Sequence, residues 1–208
     1  MYVRSTTVSG DPSKLDQAIE QVRRDVVPTV SGLPGSQGVA MMVDRDTGAA
    51  AVVSFWADRE SAEASESSVR PLRERAVEMM GGGADPASVG VHVYELLDGE
   101  AREQPAEGCW NRIITLELDR ADIDTARDAF RSTALPALEA MDGYCAAALL
   151  ADRENGRAVA VITWRDRAAV DASRDRATVL REEVTGKANA RVASVAEMEL
   201  VVAAPPFE

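Results

Sequence analysis

The chain repeats itself. Residues 50–73, AAVVSFWADRESAEASESSVRPLR, return as residues 158–181, AVAVITWRDRAAVDASRDRATVLR, 108 positions later and without a gap. At that spacing Trp56 meets Trp164, Asp58 meets Asp166, Arg59 meets Arg167, Ser65 meets Ser173, Leu72 meets Leu180 and Arg73 meets Arg181. The same offset pairs Arg4 with Arg112, Thr7 with Thr115, Asp11 with Asp119, Pro28 with Pro136, Gly35 with Gly143 and Gly48 with Gly156. It slips only after the second helix, where the loop before the last strand is shorter in the second copy. A chain of 208 residues built this way holds two units of about 100 residues each.

Each unit reads strand, helix, strand, strand, helix, strand. In the first copy, residues 2–9 are rich in Thr, Val and Tyr and read as a strand. Asp11-Pro12 then caps a helix whose apolar positions, Leu15, Ile19, Val22 and Val26, recur at helical spacing. Residues 38–43 and 50–56 form a hairpin around Asp44 to Gly48. Asp58 caps a second helix with Ala62, Val69, Leu72, Ala76 and Met79 inward, which Gly81, Gly82 and Gly83 end. Residues 89–96 are the fourth strand, and residues 98–108 read as a polar linker. The order then repeats through strand 110–118, a helix marked by Ile123, Ala126 and Phe130, a hairpin at Asn155-Gly156, a helix from about Arg167 to Val184, and strand 192–202. This is the ferredoxin-like βαββαβ unit. The expected class is α+β, with units at 1–97 and 109–203. Strand 50–56 is apolar on both faces, so the two units are expected to close one pseudo-dimeric α/β barrel within the chain.

Charge and composition narrow the function. The formal net charge is −12, which argues against nucleic acid, whose phosphates require clustered Lys and Arg, and against an anionic membrane surface. No stretch of about 18 apolar residues is present, and the start of the chain has no basic segment followed by an apolar run. A cytoplasmic protein with two reduced cysteines, Cys109 and Cys145, is the expectation. One histidine, His92, leaves no His-rich metal site.

The run from strand through Trp, x, Asp, Arg into a helix, inside this unit, resembles the antibiotic biosynthesis monooxygenase superfamily of dimeric α/β barrels. The resemblance covers both repeats. It implies a fused pair of what is elsewhere a dimer of single units, so the chain is expected to be a monomeric pseudo-dimer or a homodimer. The polyketide-oxidising members act on phenolic polycycles with O2 and neither metal nor flavin. They carry an Asn four residues before the strand-three Trp, where this chain has Val52 and Ala160. The heme-degrading members use an Asn on the first strand with a Trp and a His on the second helix. Asn111 matches the first; Ser173 and Glu183 occupy the others, and Val3, Ser65 and Arg75 stand there in the first unit.

The activity that the resemblance implies is cofactor-independent monooxygenation of a small aromatic or phenolic compound. A non-catalytic small-molecule-binding or regulatory barrel and a heme-handling protein are the alternatives. Trp56 and Trp164 either stack on a planar ligand or fill the strand-helix corner. Arg4 and Arg112, in mid-strand, require either an internal acid or an anionic ligand. Trp110 and Tyr144 are pocket aromatics or core. His92 is the candidate general base, because its ordinary pKa lies near neutrality, and Asn111 is the second candidate catalytic group.

Overall fold

The computed structural model describes residues 1–81 and 89–204. Gly82 and Gly83, expected to end a helix, lie outside the described residues, as does the tail from residue 205. Unit 1 opens with β1 (Tyr2–Ser9), followed by α1 (Leu15–Gln21), a π-helical turn (Val22–Val26) and α2 (Val27–Ser31). The hairpin β2 (Ser36–Asp44) and β3 (Ala49–Trp56) comes next, then α3 (Arg59–Ala64), α4 (Glu66–Met79) and β4 (Val89–Ala101). Unit 2 repeats the order as β5 (Trp110–Glu117), α5 (Ile123–Ala129), a π-helical turn (Phe130–Ala134), α6 (Leu135–Glu139), β6 (Tyr144–Asp152), β7 (Arg157–Trp164), α7 (Arg167–Lys187) and β8 (Arg191–Ala204).

The strands hydrogen-bond in the closed order β1-β3-β2-β8-β5-β7-β6-β4, the eight-strand α+β barrel that the repeat implies. In unit 1 the order β4-β1-β3-β2 is the ferredoxin-like one, and β8-β5-β7-β6 reproduces it in unit 2. The repeat spacing survives in the registers. Arg4 faces Ser54 on β3, and Arg112 faces Ile162 on β7. Each unit has its own core, with Val39, Val43 and Trp56 in the first and Leu149, Val170 and Trp164 in the second.

The stretch read from sequence as a linker starts inside a strand. β4 continues through Ala101, pairing Asp98 with Leu149 and Ala101 with Ala146 on β6. Polar side chains hid this, because strand propensity is dominated by packing and here the edge of β6 supplies the hydrogen bonds. The two compact units therefore divide within strands, as Met1–Tyr94 with Leu200–Glu208 and as Glu95–Glu199, rather than at 97 and 109.

Both first helices are distorted at one place for one reason. Pro28 and Pro136 have no N–H, and their rings crowd the carbonyl four residues before. The Val27 N–H reaches back five residues to the Val22 carbonyl, and the Leu135 N–H to the Phe130 carbonyl. Each helix thereby gains a π turn, a feature often found beside functional sites. The second helices begin as expected. Asp58 accepts from the Ser61 N–H and Asp166 from the Ala169 N–H, both at 2.8 Å. Asp58→Ala and Asp166→Ala should each cost about 1 kcal/mol. Thermal unfolding followed by circular dichroism should then show a fall in Tm of about 2–4 °C for either change.

Candidate functional site

Each unit holds a cavity between its sheet and its helices. In unit 2 it measures about 60 Å³ and in unit 1 about 70 Å³. The two are the same cavity repeated. Every residue lining the unit 1 cavity has its 108-residue counterpart lining that of unit 2, Arg4 and Arg112, Val22 and Phe130, Val52 and Ala160, Ser54 and Ile162, Leu72 and Leu180, Arg73 and Arg181 among them, and Leu138, Trp164 and Thr185 line the unit 2 cavity in addition. Residues of both π turns contribute, so the proline-induced widening shapes the roof in each unit.

The walls are apolar, and the polar groups are few. Arg4 and Arg112 are buried on β1 and β5. The expectation of an internal acid holds for both, but the acids differ. In unit 1 the acid is Glu66 on α4. Arg4 donates to it at 2.5 Å and to the Ala62 carbonyl, Arg73 donates to it at 2.6 Å, and Arg70 at 3.2 Å. The Arg73 bond is the main reason the Glu66 pKa falls from 4.5 to about 2. Burial lowers the Arg4 pKa against the attraction of Glu66, and Arg4 Nε has no acceptor among the described residues. In unit 2 the acid is Glu197 on β8. It accepts from Arg112 Nε and Nη2 at 3.1 and 2.9 Å and from Arg174 at 2.8 Å. Arg112 is completed by the Ser173 hydroxyl and the Val170 carbonyl, each at 3.0 Å. Neither Glu66 nor Glu197 was singled out from sequence.

The tryptophans differ too. Trp56 is fully buried, and its indole N–H donates to the Ser54 hydroxyl at 2.9 Å. Trp164 is also fully buried and lines the unit 2 cavity, but Ile162 replaces the serine and the Trp164 N–H has no acceptor among the described residues. Tyr144 packs edge-on against Trp164, with ring centroids 6.1 Å apart, and burial raises its pKa. Trp110 lies under the Arg167 guanidinium at 4.7 Å.

The two candidate catalytic groups fall elsewhere. Asn111 follows Trp110 and precedes Arg112 on β5, so strand alternation puts it on the opposite face from the cavity. There it accepts from the Thr163 hydroxyl at 2.8 Å, and its amide NH2 is unpartnered among the described residues. His92 packs beside Tyr94 on β4 of unit 1, ring centroids 5.8 Å apart, and lines neither cavity. The heme positions do not fit that group. Asn111 faces away from the cavity, Ser173 is bonded to Arg112, and Glu183 is paired with Lys187 at 2.7 Å. Burial, with Cys109 and Glu103 adding, pushes the Cys145 thiol up to about 11, so it stays protonated at neutral pH and is a poor nucleophile.

The depressed Glu66 pKa makes unit 1 sensitive to acid. The carboxylate is more acidic folded than unfolded, so its contribution is complete above about pH 4.5 and is lost as pH falls towards 2. Glu66→Gln should lower stability at pH 7 by about 2–3 kcal/mol, between an exposed and a fully buried pair. Urea unfolding at pH 7 and pH 3 should show a smaller gap between variant and wild type at the lower pH.

The comparisons with known proteins agree with this geometry. The family model for antibiotic biosynthesis monooxygenases matches residues 111–181, within unit 2. The uncharacterized protein Rv2557 of Mycobacterium tuberculosis is 33% identical over 203 residues, covering 98% of this chain and 88% of the relative. The uncharacterized protein Rv2558, from the same organism, is 33% identical over 205 residues, covering 98% of this chain and 84% of the relative. Among solved structures, an anthrone oxidase-like protein superposes with a TM-score of 0.71 at 17% identity, covering 100% of this chain and 94% of that one. With the βαββαβ repeat and the closed eight-strand order, these matches show that the chain belongs to the antibiotic biosynthesis monooxygenase superfamily.

Proposed function

We propose that unit 2 is a cofactor-independent monooxygenase site for a small phenolic or quinone-forming compound, and that unit 1 serves as scaffold. The observation that carries this is the Trp164 indole N–H, buried at the cavity and without an acceptor among the described residues. A buried donor left unmet costs about 1–3 kcal/mol. A substrate oxygen placed against it would recover that. The cavity, at about 60 Å³, is smaller than the roughly 150 Å³ that holds a benzene ring, so the ring of such a substrate would enter as Phe130, Leu138 and Leu180 move apart.

The chemistry suits a site of this composition. An aromatic substrate that forms a stabilised carbanion can itself reduce O2. One oxygen atom enters the product as a carbonyl, and the other leaves as water with the two hydrogens lost from carbon. No external electron donor is needed. The cavity lining holds no carboxylate or imidazole among its described residues, so the substrate proton would leave to water as the anion forms. Likeness in fold to an anthrone oxidase-like protein supports anthrone as the first probe. The repeat supplies two units in one chain, which suits a monomer.

The same lack of a base favours a second reading, a barrel that holds a small aromatic without turning it over. Oxygen uptake by metal-free protein supplied with anthrone decides between them. Under the oxygenase reading, uptake depends on the protein. It then falls at least tenfold in Trp164→Phe, which removes the donor, and in Ile162→Ser, which gives Trp164 the internal acceptor that Trp56 has. If anthrone binds, shown by a shift of the Trp164 indole resonance, and is not oxidised, the binding barrel is correct.

A further inference from the structure

Resting on the reading of the unit 2 cavity as the site, we infer that its ligand carries one anionic oxygen held by Arg181. We infer also that unit 1 is closed to such a ligand because Glu66 already supplies the anion. One chain then binds one ligand, in unit 2.

The two repeats give the comparison. Arg73 and Arg181 hold the same position on the cavity wall. Arg73 is tied to Glu66, with N–H to oxygen distances of 2.6 and 3.4 Å. Arg181 has no ion pair and no side-chain hydrogen bond among the described residues. The cause is a change of one residue on the second helix. Glu66 has Arg174 as its counterpart, so α7 carries no carboxylate where α4 does. Arg112 still requires a counterion and receives one from Glu197 on β8. Glu197 also engages Arg174, and Arg167 at 4.0 Å, but not Arg181.

Arg181 is a partly buried residue on the wall of an apolar cavity with no internal counterion, and an anion entering the cavity would supply one. Trp164 lines the same space, and its buried indole N–H has no acceptor among the described residues. Arg112 is largely taken up, since Glu197, Ser173 and Val170 accept from four of its five N–H donors. The cavity thus presents one uncompensated positive charge and one neutral donor within apolar walls. The matching ligand is an apolar ring bearing a single ionised oxygen, as a carboxylate or a phenolate.

The test uses the full chain and three probes: 1-naphthoate, 4-nitrophenolate at a pH where it is ionised, and the neutral 1-naphthamide. Calorimetry gives stoichiometry and affinity, and the Trp164 indole N–H resonance, assigned with Trp164→Phe, reports occupancy. At least one anion should bind at one site per chain, about tenfold or more tighter than 1-naphthamide. Which anion binds tells carboxylate from phenolate. Arg181→Met should bring that affinity down to the level of the amide without lowering Tm, because Arg181 makes no internal pair. Arg174→Glu, at an exposed position, places a carboxylate where Glu66 stands in unit 1 and should also remove the preference for the anion. Equal binding of 1-naphthamide, two anions per chain, or an unchanged anion affinity in Arg181→Met overturns the inference and leaves the cavity reading standing. Failure of all three probes to move the Trp164 resonance overturns the cavity reading and the inference together.

Discussion

A guanidinium on the first strand of each unit, enclosed between sheet and helices, is the constraint on which the rest depends. Arg4 and Arg112 are each less than a tenth exposed. Arginine cannot shed its proton under such burial, so a carboxylate must come to it. The sheet and the second helix are the two places that can supply one. Unit 1 uses the helix and unit 2 uses the last strand. That choice propagates outward. A carboxylate on the helix, one turn or two from Arg70 and Arg73, collects them as well. A carboxylate on the strand collects Arg174 and leaves Arg181 to the cavity.

How much of this could be read from the sequence follows from how local each signal is. The caps at Asp58 and Asp166, the hairpins at Gly48 and Gly156 and the ferredoxin-like order are short-range features, and each is present where the repeat puts it. Gly156, for instance, has φ of +61°, as an Asn-Gly turn requires. The need of Arg4 and Arg112 for a partner was legible, because a charge in an alternating apolar strand demands one. The partners were not. Glu197 is 85 positions from Arg112 and lies beyond the point where the repeat slips. The end of β4 was missed for a similar reason, since Asp98 and Glu100 join a strand by pairing with β6 rather than by their own propensity.

The site was half legible. Trp164, a position the resemblance points to, and Arg112, singled out as a charge in mid-strand, both line the unit 2 cavity, whereas Asn111 is one residue away and therefore on the other face. A period of two makes that difference absolute. The signal that separates the units was present in the repeat itself, at the positions where the copies disagree. Ser54 against Ile162 decides whether the tryptophan has an internal acceptor. Glu66 against Arg174 decides whether the cavity arginine has an internal anion. Agreement between the copies marks the fold, and disagreement marks which polar groups each unit keeps for itself.

These differences cannot be independent. Exchanging Glu66 for the arginine of the second copy would leave Arg4 buried beside Arg70 and Arg73 with no carboxylate at hand. Unit 1 has no counterpart to Glu197 in reserve: with the slip taken into account, Val93 stands at that place on β4 and packs against the core. The helix and strand positions must change together, because each alone leaves either a bare cation or two acids at one arginine, and neighbours sharing a partner do not add. A duplicated chain can make such a linked change in one copy while the other keeps the original pairing and the stability that goes with it. The pattern seen here, with the cavity arginine of unit 1 paired to Glu66 and that of unit 2 left over, is the expected product of that freedom.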